Sequence, residues 1–593
     1  MDRQSIIGFV LIFIVLVFWM WLNSPQPKPK QLESSAKQGQ VKDTVQAVQP
    51  KVVEQQKITE ATSYGKYFST RAKGLEQIIY IETDLYSAEI SSRGGVVRKW
   101  ELKRFRTWNN LPVQLVDYEH QGDLTVLLTT SDGRVINTKD LYFDVSASSD
   151  KIQIEGNYEF EIIFTLPSAG GGKLIKKMKF RNEEYGFETT VQLQNLGSVV
   201  ANYQYEVIWE HGIRYAEHNS VDESSFAEAY AFTANELTQI DAGKADEKVQ
   251  KELSGAVDWV ATRSKYFAVA IIPTSTISEG AYLEGTHKAM PDQGVIKSYA
   301  VSLKMPYKGE SSEQSTFKIF LGPLLHSELK SYGNGLENIM SLGWAWLVRP
   351  ISEYIMLPVF TAIHYVVPNW GLVIIVFSIL IKLALHPLSK SQMTSMKRMQ
   401  KLQPMMEELR EKYKDDPQKM NSSIMNLYKE YGVNPAGGCL PLLLQLPIMY
   451  ALYAVFRGAI ELRQASFVAW ITDLSIPDVI YKLPFKLPII GIQEVSGIAV
   501  LMGVTMFVQT KMTTKDPRQK AMVWIMPIMM TFLFNGFPSG LNLYYAVFNL
   551  LSIGQQVLIN KQHDDEPLRK VEQKKKSRGG IFRFTKDMPR LKK

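Results

Sequence analysis

Two hydrophobic patterns divide the chain. Over residues 77–83, 86–92 and 96–102, apolar and polar positions alternate, the period of a half-buried strand. Turn signals separate such stretches, at Arg93-Gly94-Gly95, Asp132-Gly133 and 169–172. The same alternation predicts strands over 173–181, 186–195, 203–209 and 266–272. Residues 58–335 therefore read as a large antiparallel β-sandwich with few helices, the best candidates being 245–253 and the approach over 324–341.

Beyond Gly343 the apolar residues gather in unbroken runs instead. These lie at 368–388, 439–456, about 489–508, 522–537 and 541–559, and with a first run at 6–22 they predict six membrane-spanning helices. Residues 1–22 carry no small-residue cleavage site before Asn23-Ser24-Pro25, so they read as an uncleaved anchor. Residues 23–57 have no aromatics and read as a disordered tether. Residues 336–367 mix Trp344, Trp346, Tyr354, Phe360 and Tyr365 with Arg349, Glu353 and His364, the composition of an amphipathic helix lying at an interface.

Between the second and third runs, residues 389–431 leave the membrane. Met393, Met396, Leu402, Met406, Leu409 and Tyr413 form one helical stripe, and Met420, Ile424, Leu427, Tyr428 and Tyr431 form another. Asp416-Pro417 supplies an N-cap and first turn between them, and Gly432 ends the second. A helical hairpin is expected, bordered by Lys390, Lys397, Arg398 and Lys401.

Charge fixes the orientation. The 593 residues carry a formal net charge of +8. Basic segments at 390–401, 511–520 and 561–593 fall on one side when six spans are threaded, together with both termini. That side is the cytoplasm, and the β domain lies outside. The tail 561–593 suits a topology signal, anionic lipid or RNA phosphate equally on charge alone. The single cysteine, Cys439, leaves the β domain without disulfides.

One charge lies at membrane depth. Lys382 interrupts the run 368–388, where a cation costs about 2.5–3.5 kcal/mol on insertion scales, so it marks either a functional site or a side chain snorkelling to the headgroups. Elsewhere little chemistry emerges. His211, His218, Asp222, Glu223 and Glu228 cluster in sequence without metal-ligand spacing, and a solvated loop accounts for them. No Gly-rich phosphate loop is present, and no nucleophile, base, metal or cofactor set. An enzyme is disfavoured. A transporter would also place a charge in a bundle, but it ordinarily shows repeated halves with paired broken helices.

An ordered series of motifs narrows the choice. Asn369-Trp370-Gly371, His386-Pro387-Leu388, Leu402-Gln403-Pro404, Leu427-Tyr428-Lys429, the run 433–439, Glu461-Leu462-Arg463-Gln464-Ala465, the run 501–506 and Phe537-Pro538-Ser539-Gly540-Leu541 resemble the YidC-type membrane protein insertases over about residues 369–559. The anchor plus exported β domain resembles the Gram-negative form. The resemblance implies a supersandwich fold for residues 58–335 and an inner-membrane location. It also implies a five-helix core with a groove open to cytoplasm and lipid, acting alone or beside a Sec-type translocon. In that family a single cation, usually arginine, makes the groove hydrophilic; Lys382 holds the matching position, keeping the charge without the planar fork of donors. The resemblance further places Ser378 in the groove and Met449, Leu533 and Tyr545 against the incoming transmembrane helix. It implies nascent membrane proteins as substrates. Because insertion during synthesis requires the ribosome at the cytoplasmic face, ribosome contact through the tail and Lys397, Arg398 and Lys401 is expected, whereas DNA is not an expected partner.

Overall fold

Alternating burial builds three sheets from the β domain, antiparallel except where Ile78–Glu82 pairs parallel with the edge strand Lys151–Gln153. In the computed structural model the described residues are 64–562, apart from 117, 148, 292–293, 434–439, 488–490 and 515–519. The expected anchor, the tether and the tail beyond Gln562 lie outside them. A nine-stranded sheet runs in the order Glu236–Ile240, Glu228–Thr233, Trp259–Arg263, Phe267–Pro273, Ser312–Pro323, Gly186–Gln194, Lys173–Arg181, Glu159–Pro167 and Asp144–Ser146. A six-stranded sheet is built on Gly280–Ala289, Val295–Pro306 and Val200–Trp209, and a five-stranded one on Val96–Arg106, Tyr86–Ser91 and Ile78–Glu82.

Large aromatic residues join the layers. Trp100 of the five-stranded sheet stacks on Tyr86 with centroids 3.8 Å apart, and its indole N–H donates to the Leu321 carbonyl of the nine-stranded sheet at 3.0 Å. A fully buried tryptophan of this kind contributes about 3–5 kcal/mol.

The expected helix at 245–253 is instead the strand Lys248–Ser254, paired antiparallel with Gly280–Ala289. It is the edge of its sheet and mostly exposed, so its charged residues, good helix formers in isolation, serve to blunt an open edge. Residues 324–341 form only the short helix His326–Ser331 and a 3₁₀ turn, Leu336–Ile339. Both belong to the β domain: Trp259 donates to the Asn334 carbonyl, and buried Arg263 donates to the Ile339 carbonyl at 2.7 Å. The expected interfacial helix therefore starts late. It comprises a turn at Val348–Ile351, a π-helical turn at Ser352–Met356 and helix α1, Leu357–Val366.

The helical core follows with α2 (Trp370–Ala384), α3 (His386–Lys401), α4 (Gln403–Lys412), α5 (Pro417–Glu430), α6 (Leu440–Gly458), α7 (Gly497–Thr513), α8 (Lys520–Phe534) and α9 (Ser539–Gln562). Helix α9 packs against α2 and α7, and α7 against α8. Gly503 makes the last contact close, since a Cβ there would lie 1.9 Å from the Thr531 hydroxyl. The helix expected over about 489–508 lies later in the chain, at Gly497–Thr513. It begins at Gly497, where Ser496 caps the Ala499 N–H, and the preceding residues form a strand, Glu494–Ser496.

Among the described residues no single helix is long and apolar enough to cross a membrane. Helices α2 and α3 pass that test only as a pair bent by 64°. The reasons are local. At 15 residues α2 is about 22 Å long, and α9 has the length but carries Asn542, Asn549, Gln555, Gln556 and Asn560.

The hairpin also differs from expectation. Three helices occupy residues 386–430, and the first is latched to the core. Lys397 of α3 is buried and its Nζ donates to the Asn560 carbonyl at the C-terminus of α9, 2.6 Å away, where the helix dipole favours a cation. Gln400 donates to the Thr513 carbonyl at the end of α7. The hairpin proper is α4 and α5, with Asp416 capping the Lys419 N–H and Gly432 at φ +64° closing the end. Leu402, Met406, Leu427, Tyr428 and Val433 give it a small hydrophobic cluster of its own, separate from the cluster shared by the β domain and the helical core.

Candidate functional site

Lys382 sits in the last turn of α2 and is 7% exposed. Its Nζ donates to the Ser552 hydroxyl of α9 at 2.6 Å and stands 4.5 Å from the Phe548 ring centroid. Ser552 in turn donates to the Phe548 carbonyl, so its lone pairs are free for the cation. One donor is thereby fixed, and among the described residues no carboxylate pairs with Lys382.

The remaining donors face a cavity of about 170 Å³. Besides Lys382, Phe548 and Ser552 it is lined by Leu385, Leu388, Ser389, Gln392, Met393, Gln445 and Gln509. Space of this size holds on the order of ten waters, and amides with a hydroxyl supply the partners those waters need. The buried cation is thus met by a side-chain hydroxyl, nearby amides and room for water instead of by an acid. Five helices meet here: α2, the start of α3, α6, α7 and α9.

Ser378, one turn before Lys382, is fully buried and donates to the Ile374 carbonyl of its own helix, away from the cavity lining. Met449, Leu533 and Tyr545 lie outside that lining as well. Tyr545 packs edge-on to Phe534 at 5.1 Å, and its buried hydroxyl has no hydrogen-bond partner among the described residues. Leu533 packs against the main core. Sequence reasoning missed Gln392, Gln445, Gln509 and Ser552. An available signal was the isolated amide or hydroxyl within an apolar run, as in Leu443-Leu444-Gln445-Leu446.

Of the hairpin cations, Lys397 is turned inward as described, while Arg398 is exposed. The acidic and histidine residues read as a solvated loop are not one. Glu223 is fully buried and accepts from the Ala216 and Glu217 N–H groups, and burial pushes its carboxyl up to about 7. Asp222 accepts from Lys265 at 2.7 Å and from Arg457 of α6 at 3.2 Å; burial opposes its charge, but these two cations outweigh it and hold the carboxyl below its usual range. Asp123, Glu210 and His211 approach closely enough to suggest a metal. Asp123 already accepts from the Glu210 and His211 N–H groups and lies 3.0 Å from the His211 ring, whose other nitrogen is 3.4 Å from Lys139. The arrangement is a hydrogen-bonded latch.

Comparison with known proteins places the whole chain. The family model described as 60Kd inner membrane protein matches residues 362–566, and that of the YidC periplasmic domain matches 78–354. A membrane protein insertase YidC of Chlorobaculum tepidum is 38% identical over 571 residues, 95% of this chain and 96% of the relative. The chain belongs to the YidC family of membrane protein insertases. A second relative of that name, from Chlorobium phaeovibrioides, is 38% identical over 592 residues, covering 98% of this chain and all of the relative. A solved structure of an active YidC insertase with its first transmembrane domain resolved aligns over 84% of this chain and 95% of that one, at 20% identity and a TM-score of 0.35. The three sheets described above fall within the match to the YidC periplasmic domain, and α2–α9 within the match to the 60Kd inner membrane protein.

Proposed function

We propose that this protein inserts membrane proteins into the bacterial inner membrane and assists their folding, through the cavity that holds Lys382. The observation that carries this reading is a buried cation with no acidic partner among the described residues, surrounded by amides and open volume. An arriving polar segment would otherwise cross hydrocarbon, where each unsatisfied polar group costs several kcal/mol. In the cavity it meets dipoles and a positive charge that favours acidic residues. The apolar segment then leaves sideways into lipid, where burial drives the step.

In this reading Ser378 backs the polar wall, and Met449, Leu533 and Tyr545 meet the incoming helix. Helices α7 and α8 present exposed Val504, Trp524, Ile525 and Ile528 to lipid, which supports an apolar exit. Six spans with both termini cytoplasmic put the β domain in the periplasm. The hairpin α4–α5 receives substrate, and its separate hydrophobic cluster supports an element that moves against the core. A Sec-type translocon and the ribosome are partners in co-translational insertion, and the basic tail with Arg398 and Lys401 faces the ribosome. The cavity does its work by solvation and charge, without cofactor chemistry.

The test is a photocrosslinker at position 382 in cells carrying stalled nascent membrane proteins. Adducts are expected with chains whose first transmembrane segment has just left the ribosome. Their absence, with adducts formed normally at Met449, would remove Lys382 from the path.

A further inference from the structure

The segment joining α6 to α7 holds large apolar side chains in the open. All four residues of the strand Val479–Lys482 are exposed, although it pairs with Glu494–Ser496 in a two-stranded sheet. Ile480 is 51% exposed, Tyr481 59% and Phe485 57%, and Trp470 in the same segment is 52% exposed. An isolated hairpin is marginal in water, and one this apolar needs a cover.

The base of the segment is rigid. Asp478 is buried and accepts from the Trp470 indole at 2.8 Å, from the Ile498 N–H at 2.8 Å and from the Ser496 hydroxyl, so its carboxylate also sits at the N-terminus of α7. Asp473 is consumed by the Ser475 N–H and hydroxyl. With Asp473 and Asp478 held by these bonds, Ile480, Tyr481 and Phe485 stand exposed beside Lys482 and Lys486, and the exposed Glu494 pairs with Lys482 across the strands. Aromatic rings mixed with lysine are the composition of a membrane–water interface. The segment also continues directly into α7, an apolar helix of the core.

We infer that this hairpin is a membrane-contact element, bedding Ile480, Tyr481 and Phe485 in the outer-leaflet lipid beside the core. The inference rests on the topology proposed above, which puts this end of α7 on the periplasmic side. Covering the tip with lipid accounts for its exposure, and the Asp478 latch fixes its depth relative to α7.

The experiment uses the full-length protein with Cys439→Ser and one new cysteine, Tyr481→Cys or Phe485→Cys, carrying an environment-sensitive fluorophore. It is reconstituted in vesicles of phosphatidylethanolamine and phosphatidylglycerol. Tyr158→Cys, on the exposed surface of the β domain, is the aqueous reference. Doxyl groups near the head of the lipid acyl chain should quench both tip labels at least twofold more than the reference, while iodide quenches the reference more. Equal iodide quenching at all three sites would overturn the inference, as would doxyl quenching no greater than the reference. Topology is read separately in intact cells with an impermeant maleimide. Labelling of Lys414→Cys in place of Tyr158→Cys would overturn the orientation whatever the quenching result.

Discussion

Arg463 Nε stands 2.5 Å from Glu217 Oε1, joining the helical core to the β domain through a pair only 2% and 15% exposed. The guanidinium also lies over Tyr266 and Phe267, with its centre 5.7 and 5.8 Å from their ring centroids. Arg457 adds its contact to Asp222, and Gln464 donates to the Arg106 and Thr107 carbonyls. The two domains are therefore docked through specific charges as well as a shared hydrophobic cluster.

Breaking the buried pair should cost more than replacing it. Glu217→Ala leaves the Arg463 cation uncompensated and is expected to destabilise the protein by about 3 kcal/mol. Glu217→Leu with Arg463→Met should recover most of that loss. Thermal unfolding in detergent, followed by protease sensitivity of the β domain, reads both; a double variant no better than the single one would mean the pair contributes net stability.

At the cavity, charge should matter more than shape. Lys382→Arg is expected to support insertion near the wild-type level, whereas Lys382→Ala impairs substrates with acidic exported segments more than neutral ones. Ser552→Ala removes one hydrogen bond, worth about 0.5–1.5 kcal/mol, and should lower insertion only a few-fold. Equal insertion by the Lys, Ala and Glu variants would reduce Lys382 to a snorkelling side chain.

Deleting residues 414–421 removes the turn between α4 and α5 and the Asp416 cap. Because the hairpin's cluster is separate from the core, the deleted protein should accumulate in the membrane with an unchanged thermal transition and yet insert no substrate. Loss of the protein from the membrane would show that the hairpin is structural.

Lys176 predicts a pH dependence within the β domain. It is fully buried and donates to the Gly95 and Leu124 carbonyls, and burial lowers its ammonium to about 7, with Asp123 opposing the shift. Between that value and the unfolded lysine range the unfolded chain binds the extra proton, so stability rises with pH over this window. Lys176→Met should abolish its share of that rise, on the order of 3 kcal/mol from pH 7 to 10. The comparison is the difference in Tm between those pH values for wild type and variant. A rise as large in Lys176→Met as in wild type would assign it to other groups.

Truncation after Gln562 keeps the Asn560 carbonyl that Lys397 holds and removes the basic tail. Co-sedimentation with ribosomes in detergent should fall and lose salt dependence, since each phosphate contact releases counterions. Unchanged binding would leave the tail as a topology signal.

The sequence was most legible where one periodicity acted alone. The strand at 173–181 was placed to the residue, because its alternation is uninterrupted and both its neighbours are strands. Residues 248–254 were misread because charged helix formers at a sheet edge leave no buried face to count. The start of α7 was misplaced because the strand before it is nearly as apolar as the helix. At the site, Lys382 was conspicuous as a charge among apolar neighbours. Gln445, Gln509 and Ser552 were not, since an amide or hydroxyl in an apolar helix has many fates until α6, α7 and α9 are brought to one place. The roles of Asp222 and Glu217 were beyond reach for the same reason: their partners lie 235 and 246 residues away.

The short length of α2 has a mechanical consequence. An apolar helix of 15 residues covers about 22 Å, against a hydrocarbon slab of roughly 30 Å. Spanning as proposed, it would compress the lipid beside it or draw headgroups inward, each at a fraction of a kcal/mol per ångström. Either response narrows the oily layer by up to about a quarter along the flank where Lys382 lies. In the proposed topology the helix would thus act on the bilayer as well as on the substrate: it would lower the wall before anything has to climb it.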